Sequence, residues 1–132
     1  QQHNELHDLV RTLDSYGHAA PLVTGNSDLF YKLSYYGPAA QKNKYLFLAD
    51  TEKARNYLGH DTVDRSLLAL NRWFGLRVAP YSSYVDGKAD FTLFSDMDPS
   101  WDWLPSALLA DGRHLRVVQR KGRLLILSVR AQ

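Results

Sequence analysis

The stretch YLFLADTEKARNYLG, residues 45–59, holds a strand and a helix in close succession. Its first five residues are all apolar, which is typical of a strand covered on both faces. Thr51 can cap a helix that runs from Glu52 to Leu58, and Gly59 can close it. A buried strand followed at once by a helix predicts a parallel sheet, because parallel strands are joined by crossover helices.

The same alternation extends to both sides of this stretch. Toward the N-terminus, Pro21 to Thr24 predicts a strand, and the residues that follow through Tyr36 predict a helix. An amphipathic helix is predicted before them, over residues 5–16. On the C-terminal side the apolar spacing predicts a helix over Val63 to Phe74, strands at Leu76 to Val78 and Ala89 to Phe94, a helix from Trp101 to Ala110 after Pro99, and a hairpin of His114 to Gln119 with Arg123 to Val129.

We therefore predict a three-layer, Rossmann-like α/β domain with a mostly parallel sheet and a C-terminal β-hairpin. Residues 1–132 form a single domain in this prediction, with a leading helix at 1–17 and the terminal hairpin at 113–130. Ligands of such sheets bind at the carboxyl ends of the strands, which fall here at residues 24–28, 50–51 and 95–98.

The composition is that of an ordinary globular domain. The chain has 132 residues, of which 45% are hydrophobic and 23% charged, and it has no cysteine. Disulfide scaffolds, cysteine-bound zinc and thiol catalysis are thereby excluded. No apolar run approaches the roughly 20 residues that cross a bilayer, so we expect a soluble chain. The only methionine is Met97, from which we expect a fragment of a longer protein.

The charges are divided unevenly along the chain. Residues 1–111 hold 10 basic and 14 acidic residues, whereas residues 112–132 hold 6 basic residues and no acidic one. Such a basic strip can meet the phosphates of nucleic acid or of lipid headgroups. It can equally be the solvated face of an edge hairpin that its charges keep from aggregating.

Polar side chains follow the first two predicted strands. Asn26, Ser27 and Asp28 begin a helix, where they can cap it or can help its backbone N–H groups to hold an anion. Asp50 stands where a ribose-binding carboxylate would stand, but it can also be a helix cap. The glycine patterns of dinucleotide and P-loop sites are absent, so these residues alone do not predict a cofactor.

Neither a metal site nor a catalytic site is predicted. Asp96, Asp98 and Asp102 lie close together in sequence, as carboxylates around a hard cation do, but Pro99 interrupts them and Asp98 can cap a helix. His3 and His7 are spaced for one face of a helix, yet a third ligand is missing. No motif singles out a nucleophile or a base.

The segments PLVTGNSDLFYKLSYYGP, residues 21–38, and YLFLADTEKARNYLGHDTVDRSLLAL, residues 45–70, occur in a characteristic order with the later DFTLFSD and DWLPSALLADG. In this order, residues 21–129 resemble the soluble domain after the last membrane helix of bacterial polytopic glycosyltransferases of the dolichyl-phosphate-mannose mannosyltransferase-like family. With Asn26, Ser27, Asp28 and Asp50, the turn and helix of the second segment add Asp61 and Asp64 to the candidate ligand-binding residues.

The resemblance implies a non-catalytic accessory domain on the extracytoplasmic (periplasmic) face of the bacterial inner membrane. Members of the family use a polyprenyl-phosphate-linked sugar, and their catalytic carboxylate lies in an early loop between membrane helices. The implied partners are the membrane-embedded part of the same parent chain and a glycan or lipid-linked acceptor. No cofactor and no nucleic acid is expected.

Two other functions remain open from the residues alone. The α/β fold would suit a free-standing domain that binds a small ligand. The basic C-terminal hairpin would suit a module that binds an anionic surface, such as anionic lipid.

Overall fold

The computed structural model describes residues 2–16, 21–36, 44–74, 77–86, 90–96 and 102–131. The described residues form six helices and six strands that alternate along most of the chain. In chain order these elements are α1 (Gln2–Asp14), β1 (Leu22–Thr24), α2 (Ser27–Tyr36), β2 (Tyr45–Ala49), α3 (Thr51–Leu58), α4 (Thr62–Phe74), β3 (Val78–Pro80), α5 (Tyr81–Asp86), β4 (Asp90–Asp96), α6 (Leu104–Ala110), β5 (His114–Lys121) and β6 (Leu124–Arg130).

The six described strands form one sheet in the order β3-β2-β1-β4-β6-β5. Strands β1 to β4 pair in parallel, and the hairpin of β5 and β6 adds to β4 in antiparallel fashion. The prediction of an α/β fold with a mostly parallel sheet and a C-terminal hairpin is confirmed. Strand β6 lies between β4 and β5, so the hairpin extends the sheet and leaves β5 at its edge.

Both faces of the sheet are covered by apolar side chains. Strand β2 is buried at all five positions, as its unbroken apolar sequence predicts. Leu46 and Leu48 point to one face, where α3, α5 and α6 add residues such as Ala54, Val85 and Leu108. Tyr45, Phe47 and Ala49 point to the other face, where α1, α2 and α4 add Leu13, Phe30 and Leu67. The helices therefore form a layer on each side of the sheet.

Several predicted boundaries are wrong by a few residues. Helix α6 begins at Leu104 rather than Trp101, with Trp103 at the N-cap position, and the Asp102 side chain just before it accepts the Leu104 backbone N–H at 2.9 Å. Pro105 lies in that first turn, where its missing N–H costs nothing. The short helix α5 was not predicted at all.

Two other boundaries shift for identifiable reasons. Strand β3 runs from Val78 to Pro80, and Leu76 of the predicted strand lies outside the described residues. Pro80 is tolerated there because β3 is an edge strand of the sheet. Helix α3 is capped by Asp50 rather than Thr51: the Asp50 side chain accepts the Lys53 backbone N–H at 2.9 Å.

The helices on one side of the sheet are tied together by polar contacts. The Tyr81 hydroxyl of α5 donates a hydrogen bond to Asp111, just after α6, at 2.6 Å. The Lys53 ammonium of α3 lies 3.9 Å from the same carboxylate and 5.1 Å from the centre of the Tyr81 ring. The Arg113 guanidinium donates to the Val85 carbonyl at 2.8 Å. These contacts fix the layer formed by α3, α5 and α6.

Within the described part of the chain, no helix is both long enough and apolar enough to cross a membrane.

Candidate functional site

The carboxyl ends of β1, β2 and β4 meet at one edge of the sheet. Strand β1 has β2 on one side and β4 on the other, so the direction of the strand order reverses between β1 and β4. Open α/β sheets bind their ligands in the crevice at such a reversal. Thr24 ends β1 at this place and Gly25 and Asn26 follow it, while Ser95 lies near the end of β4.

In this protein the crevice is filled by the segment that leads into α6. A Cβ atom built on Gly25 would lie 2.5 Å from Asp102 Oδ1 and 2.7 Å from Leu104 Cβ. Asp102, Trp103 and Leu104 are all buried. Gly25 is therefore in direct contact with residues 102–104, and only glycine permits this approach.

Asp102 is a buried carboxylate held by two hydrogen bonds. Its Oδ2 accepts the Ser95 hydroxyl at 2.5 Å, and its Oδ1 accepts the Leu104 backbone N–H at 2.9 Å. Burial raises the pKa of Asp102 to about 6, and the nearby Asp64 carboxylate raises it as well, while the two hydrogen bonds oppose the shift. Asp102 can therefore gain or lose a proton in mildly acidic solution.

Asp64, near the start of α4, is a second buried carboxylate. Its Oδ2 accepts the Asp50 backbone N–H at 2.9 Å and the Trp103 indole N–H at 3.1 Å. Burial raises the pKa of Asp64, and the two hydrogen bonds lower it in part. Trp103 also meets the Tyr81 ring edge to face, with ring centres 5.4 Å apart. Asp64 thus links the end of β2 to the start of α6.

A small cleft lies beside Asp64. Its walls are formed by Gly25, Ser27, Phe47, Leu58, His60, Val63 and Asp64. Its volume is about 10 Å³, hardly more than one water molecule needs. A nucleotide or a sugar needs a pocket of several hundred Å³. In this conformation the cleft can hold a water molecule against Asp64 but not a ligand of that size.

The three candidate residues after β1 are placed differently from one another. Asn26 is buried and caps α2, because its Oδ1 accepts the Leu29 backbone N–H at 3.0 Å. Ser27 lines the cleft together with Asp64. Asp28 is exposed and forms an ion pair with Lys32 at 3.2 Å. Asn26 therefore acts as a helix cap, which is one of the two roles that the sequence allows for this turn.

The other three candidates are Asp50, Asp61 and Asp64, and the structure brings two of them together. Asp50 caps α3 with its side chain and donates its backbone N–H to Asp64. Asp61 lies apart in a surface ion-pair cluster, 2.8 Å from Arg65 and 3.7 Å from Arg55. The residues that approach one another at the sheet edge are therefore Ser27, Asp50 and Asp64.

The aspartates considered as metal ligands do not converge. Asp96 forms an ion pair with Arg123 at 2.9 Å, whereas Asp102 accepts a hydrogen bond from Ser95. Ser95 and Asp96 are adjacent in β4, so their side chains point to opposite faces of the sheet. Asp98 lies outside the described residues, as does the side chain of His3. The part of the chain that the structure describes holds no group of three or more histidines or carboxylates arranged for a metal.

Sequence reasoning included Gly25 and Ser95 only within the strand ends at 24–28 and 95–98, and it gave neither of them, nor Trp103, a part of its own in this site. Trp103 is 39 positions from its partner Asp64, and no local pattern connects them. Gly25 follows a strand and precedes a cap, so it has the pattern of an ordinary turn glycine. One local signal was available for where α6 begins, since a proline such as Pro105 is typical of the first helical turn.

The chemistry available at this edge is that of two buried carboxylates and their donors. Hydrogen bonds from Ser95, Leu104, Asp50 and Trp103 stabilise the two charges. No lysine or arginine of the described residues forms an ion pair with Asp64 or Asp102, so the negative charges are compensated by dipoles alone. This network joins strand ends to helix starts, and its strength depends on pH.

No protein-family model, no curated protein and no solved structure matches the chain.

Gly25→Ala should destabilise the protein by about 3 kcal/mol or more, because the added methyl group overlaps Asp102 and Leu104. Gly59→Ala is the matched control. Gly59 has φ of 85° with nothing near its Cβ position, so alanine there incurs only backbone strain of about 1 kcal/mol. Urea unfolding of both variants measures the difference, and equal losses would contradict the close contact at Gly25.

Asp102→Asn should change how stability depends on pH. The folded protein keeps the Asp102 proton up to about pH 6, whereas the unfolded chain loses it near the ordinary value of 3.8. The contribution of Asp102 to the free energy of unfolding of the wild type therefore falls as pH rises from 3.8 to about 6, and it is constant above that range. Relative to wild type, the asparagine variant should gain about 3 kcal/mol in free energy of unfolding between about pH 3 and pH 7.

Denaturant unfolding at a series of pH values measures this gain. Asp86→Asn, which removes an exposed carboxylate from α5, corrects for the change in net charge. A difference between wild type and Asp102→Asn that stays constant across the window would show that Asp102 does not bind a proton there.

Trp103→Phe should destabilise the protein at pH 7, because Asp64 loses its indole N–H donor while it remains buried. A hydrogen bond to a charged group contributes about 2 kcal/mol, and the smaller ring adds the cost of a cavity. The hydrogen-bond contribution to this loss of stability should shrink in acid, where Asp64 becomes protonated, whereas the cavity contribution should not change with pH. Unfolding at a series of pH values from 7 downward separates the two parts, and a cost that is independent of pH would assign the whole effect to volume.

Proposed function

We propose that this chain is a non-catalytic, extracytoplasmic accessory domain of a membrane glycosyltransferase that uses a polyprenyl-phosphate-linked sugar. The proposal is supported by the resemblance of residues 21–38 and 45–70 to the soluble domain of such enzymes. The strand order β3-β2-β1-β4 is also compatible with a Rossmann-like domain, since it is the order of that fold's first four strands.

The observation that carries the proposal is the filled crevice between β1 and β4. Gly25 contacts Asp102 and Leu104 at the place where a sheet of this kind would hold a ligand. The cleft that remains beside Asp64 has room for one water molecule. A domain built in this way acts through its outer surface, as a support for a partner or as a holder of an acceptor.

In this proposal the main partner is the membrane-embedded part of the same parent chain. The family's catalytic carboxylate lies in that part, so the chemistry of sugar transfer takes place outside residues 1–132. The domain described here would position a glycan or lipid-linked acceptor, or stabilise the membrane helices. Neither task requires a deep pocket.

The first test is the sequence encoded upstream of Gln1. Several apolar segments of about 20 residues each should precede it, because the parent enzyme must cross the membrane several times. Sequencing the complete gene gives the answer. A parent protein with no such segment would refute the proposed function.

A second test separates this proposal from that of a small-ligand-binding domain. Thermal unfolding is measured with sugar phosphates and nucleotides added to the purified chain. A ligand at about 100 times its Kd stabilises the native state by about 2.7 kcal/mol and raises the Tm by several degrees. We expect no change in Tm. A rise with any of these compounds would favour the small-ligand-binding domain.

A further inference from the structure

We propose that strand β5 binds the surface of a bilayer that contains anionic lipid. The inference rests on the proposed function for the nearness of a membrane, and it adds the partner that the outer edge of the sheet contacts. The surface concerned consists of Arg116, Val117, Val118, Arg120 and Lys121, which we call the β5 surface.

The β5 surface is the outer edge of the sheet. In the described sheet β5 pairs with β6 on one side and with no strand on the other. All five side chains of the β5 surface are exposed. Strand side chains alternate between the faces of a sheet, and the register places Val117 and Arg120 on the face of α6, and Lys121 on the face of α1. A flat partner can therefore meet both sets of side chains only along the edge itself.

The positive charge of the β5 surface is not neutralised within the described part of the chain. Three exposed cations elsewhere pair with carboxylates: Lys32 with Asp28, Arg65 with Asp61, and Arg123 with Asp96. Arg116 and Arg120 have no carboxylate partner among the described residues. The Lys121 ammonium donates to the Thr12 hydroxyl at 3.3 Å, a neutral group. Three cations are therefore available to an anionic partner.

Aliphatic side chains lie among these cations. Val117 is 54% exposed and Val118 is 43% exposed. Both are exposed where the register between β5 and β6 shifts, since Val117 pairs with Leu127 and Gln119 with Ile126, which leaves Val118 as the extra residue of a bulge. Leu109, 60% exposed, lies near the end of α6, just before β5 begins.

The combination of cations and exposed aliphatic groups favours a lipid surface over other anionic partners. Basic residues are attracted to anionic headgroups while aliphatic side chains enter the boundary with the acyl chains. Surfaces that bind single-stranded nucleic acid add large aromatic side chains for stacking on bases, and β5 contains no phenylalanine, tyrosine or tryptophan.

A second copy of the chain is a poorer partner for the same edge. Pairing β5 with another β5 would bring Arg116, Arg120 and Lys121 near their own copies, and like charges repel across strands. The bulge at Val118 also interrupts the row of backbone groups that an added strand needs. Charge and backbone geometry thus both oppose strand addition.

The test measures binding of the purified chain to vesicles by co-sedimentation. One set is phosphatidylcholine with about one third phosphatidylglycerol, and the other is phosphatidylcholine alone. We expect binding to the first set only, and weaker binding as salt rises. Arg116→Gln with Arg120→Gln should lower the partition coefficient about 25-fold, since each basic residue near an anionic surface contributes about fivefold.

Two control variants separate the β5 surface from net charge and from a specific guanidinium site. Arg55→Gln with Arg65→Gln removes the same two charges from α3 and α4, near the opposite edge of the sheet, and should leave binding within about twofold of wild type. Arg116→Lys with Arg120→Lys should retain binding, because a bilayer responds to charge rather than to a planar fork of donors. Unchanged thermal unfolding confirms that the variants are folded.

Three results would overturn the inference. The first is the absence of binding to phosphatidylglycerol vesicles at low salt, which would leave edge protection as the role of the charges. The second is an equal loss of binding in the control pair on α3 and α4. The third is tighter binding to an oligonucleotide than to the vesicles at about 0.15 M salt. None of these results bears on the upstream sequence, which alone tests the accessory-domain proposal.

Discussion

The contact between Gly25 and the segment Asp102 to Leu104 is the constraint on which the rest of the sheet edge depends. It brings the start of α6 against the end of β1, at a distance that a single methyl group would prevent. Asp102 then bonds to Ser95 of β4, and Trp103 bonds to Asp64 of α4. Three consecutive residues thereby connect elements that are far apart in sequence.

The two carboxylates in this network make it specific rather than strongly stabilising. A buried charge is costly unless donors surround it, and here each carboxylate accepts two hydrogen bonds. An arrangement that displaced Trp103 or Ser95 would leave a charge buried with too few donors, so alternative placements of α6 are disfavoured. Burial disfavours the charged form of each carboxylate, and this raises the pKa of both groups.

The fold could largely be predicted from the sequence, whereas the site could not. The five apolar residues of β2 and the caps around α3 are local signals, and the structure places those elements within one residue of the prediction. Asn26 and Asp50 were recognised as possible caps because capping involves neighbours three positions away. The bond from Trp103 to Asp64 depends on how two distant helices meet, and no spacing within either helix reports it. The start of α6 was misplaced because Pro99 resembles a helix start, whereas the tertiary contacts that bury Asp102 and Trp103 ahead of the helix leave no local pattern.

The position of β6 in the sheet has a consequence for how the protein folds. Strand β6 follows β5 in sequence, yet it lies between β4 and β5 in the sheet and pairs with both of them along its length. During synthesis, β4 therefore keeps an unpaired edge until residues 124–130 have emerged, and the apolar residues that β6 later covers stay open to water. The charged turn and strand just ahead of β6 would discourage other chains from pairing with that edge in the meantime. Completion of the sheet is thus a late step that waits for one short strand.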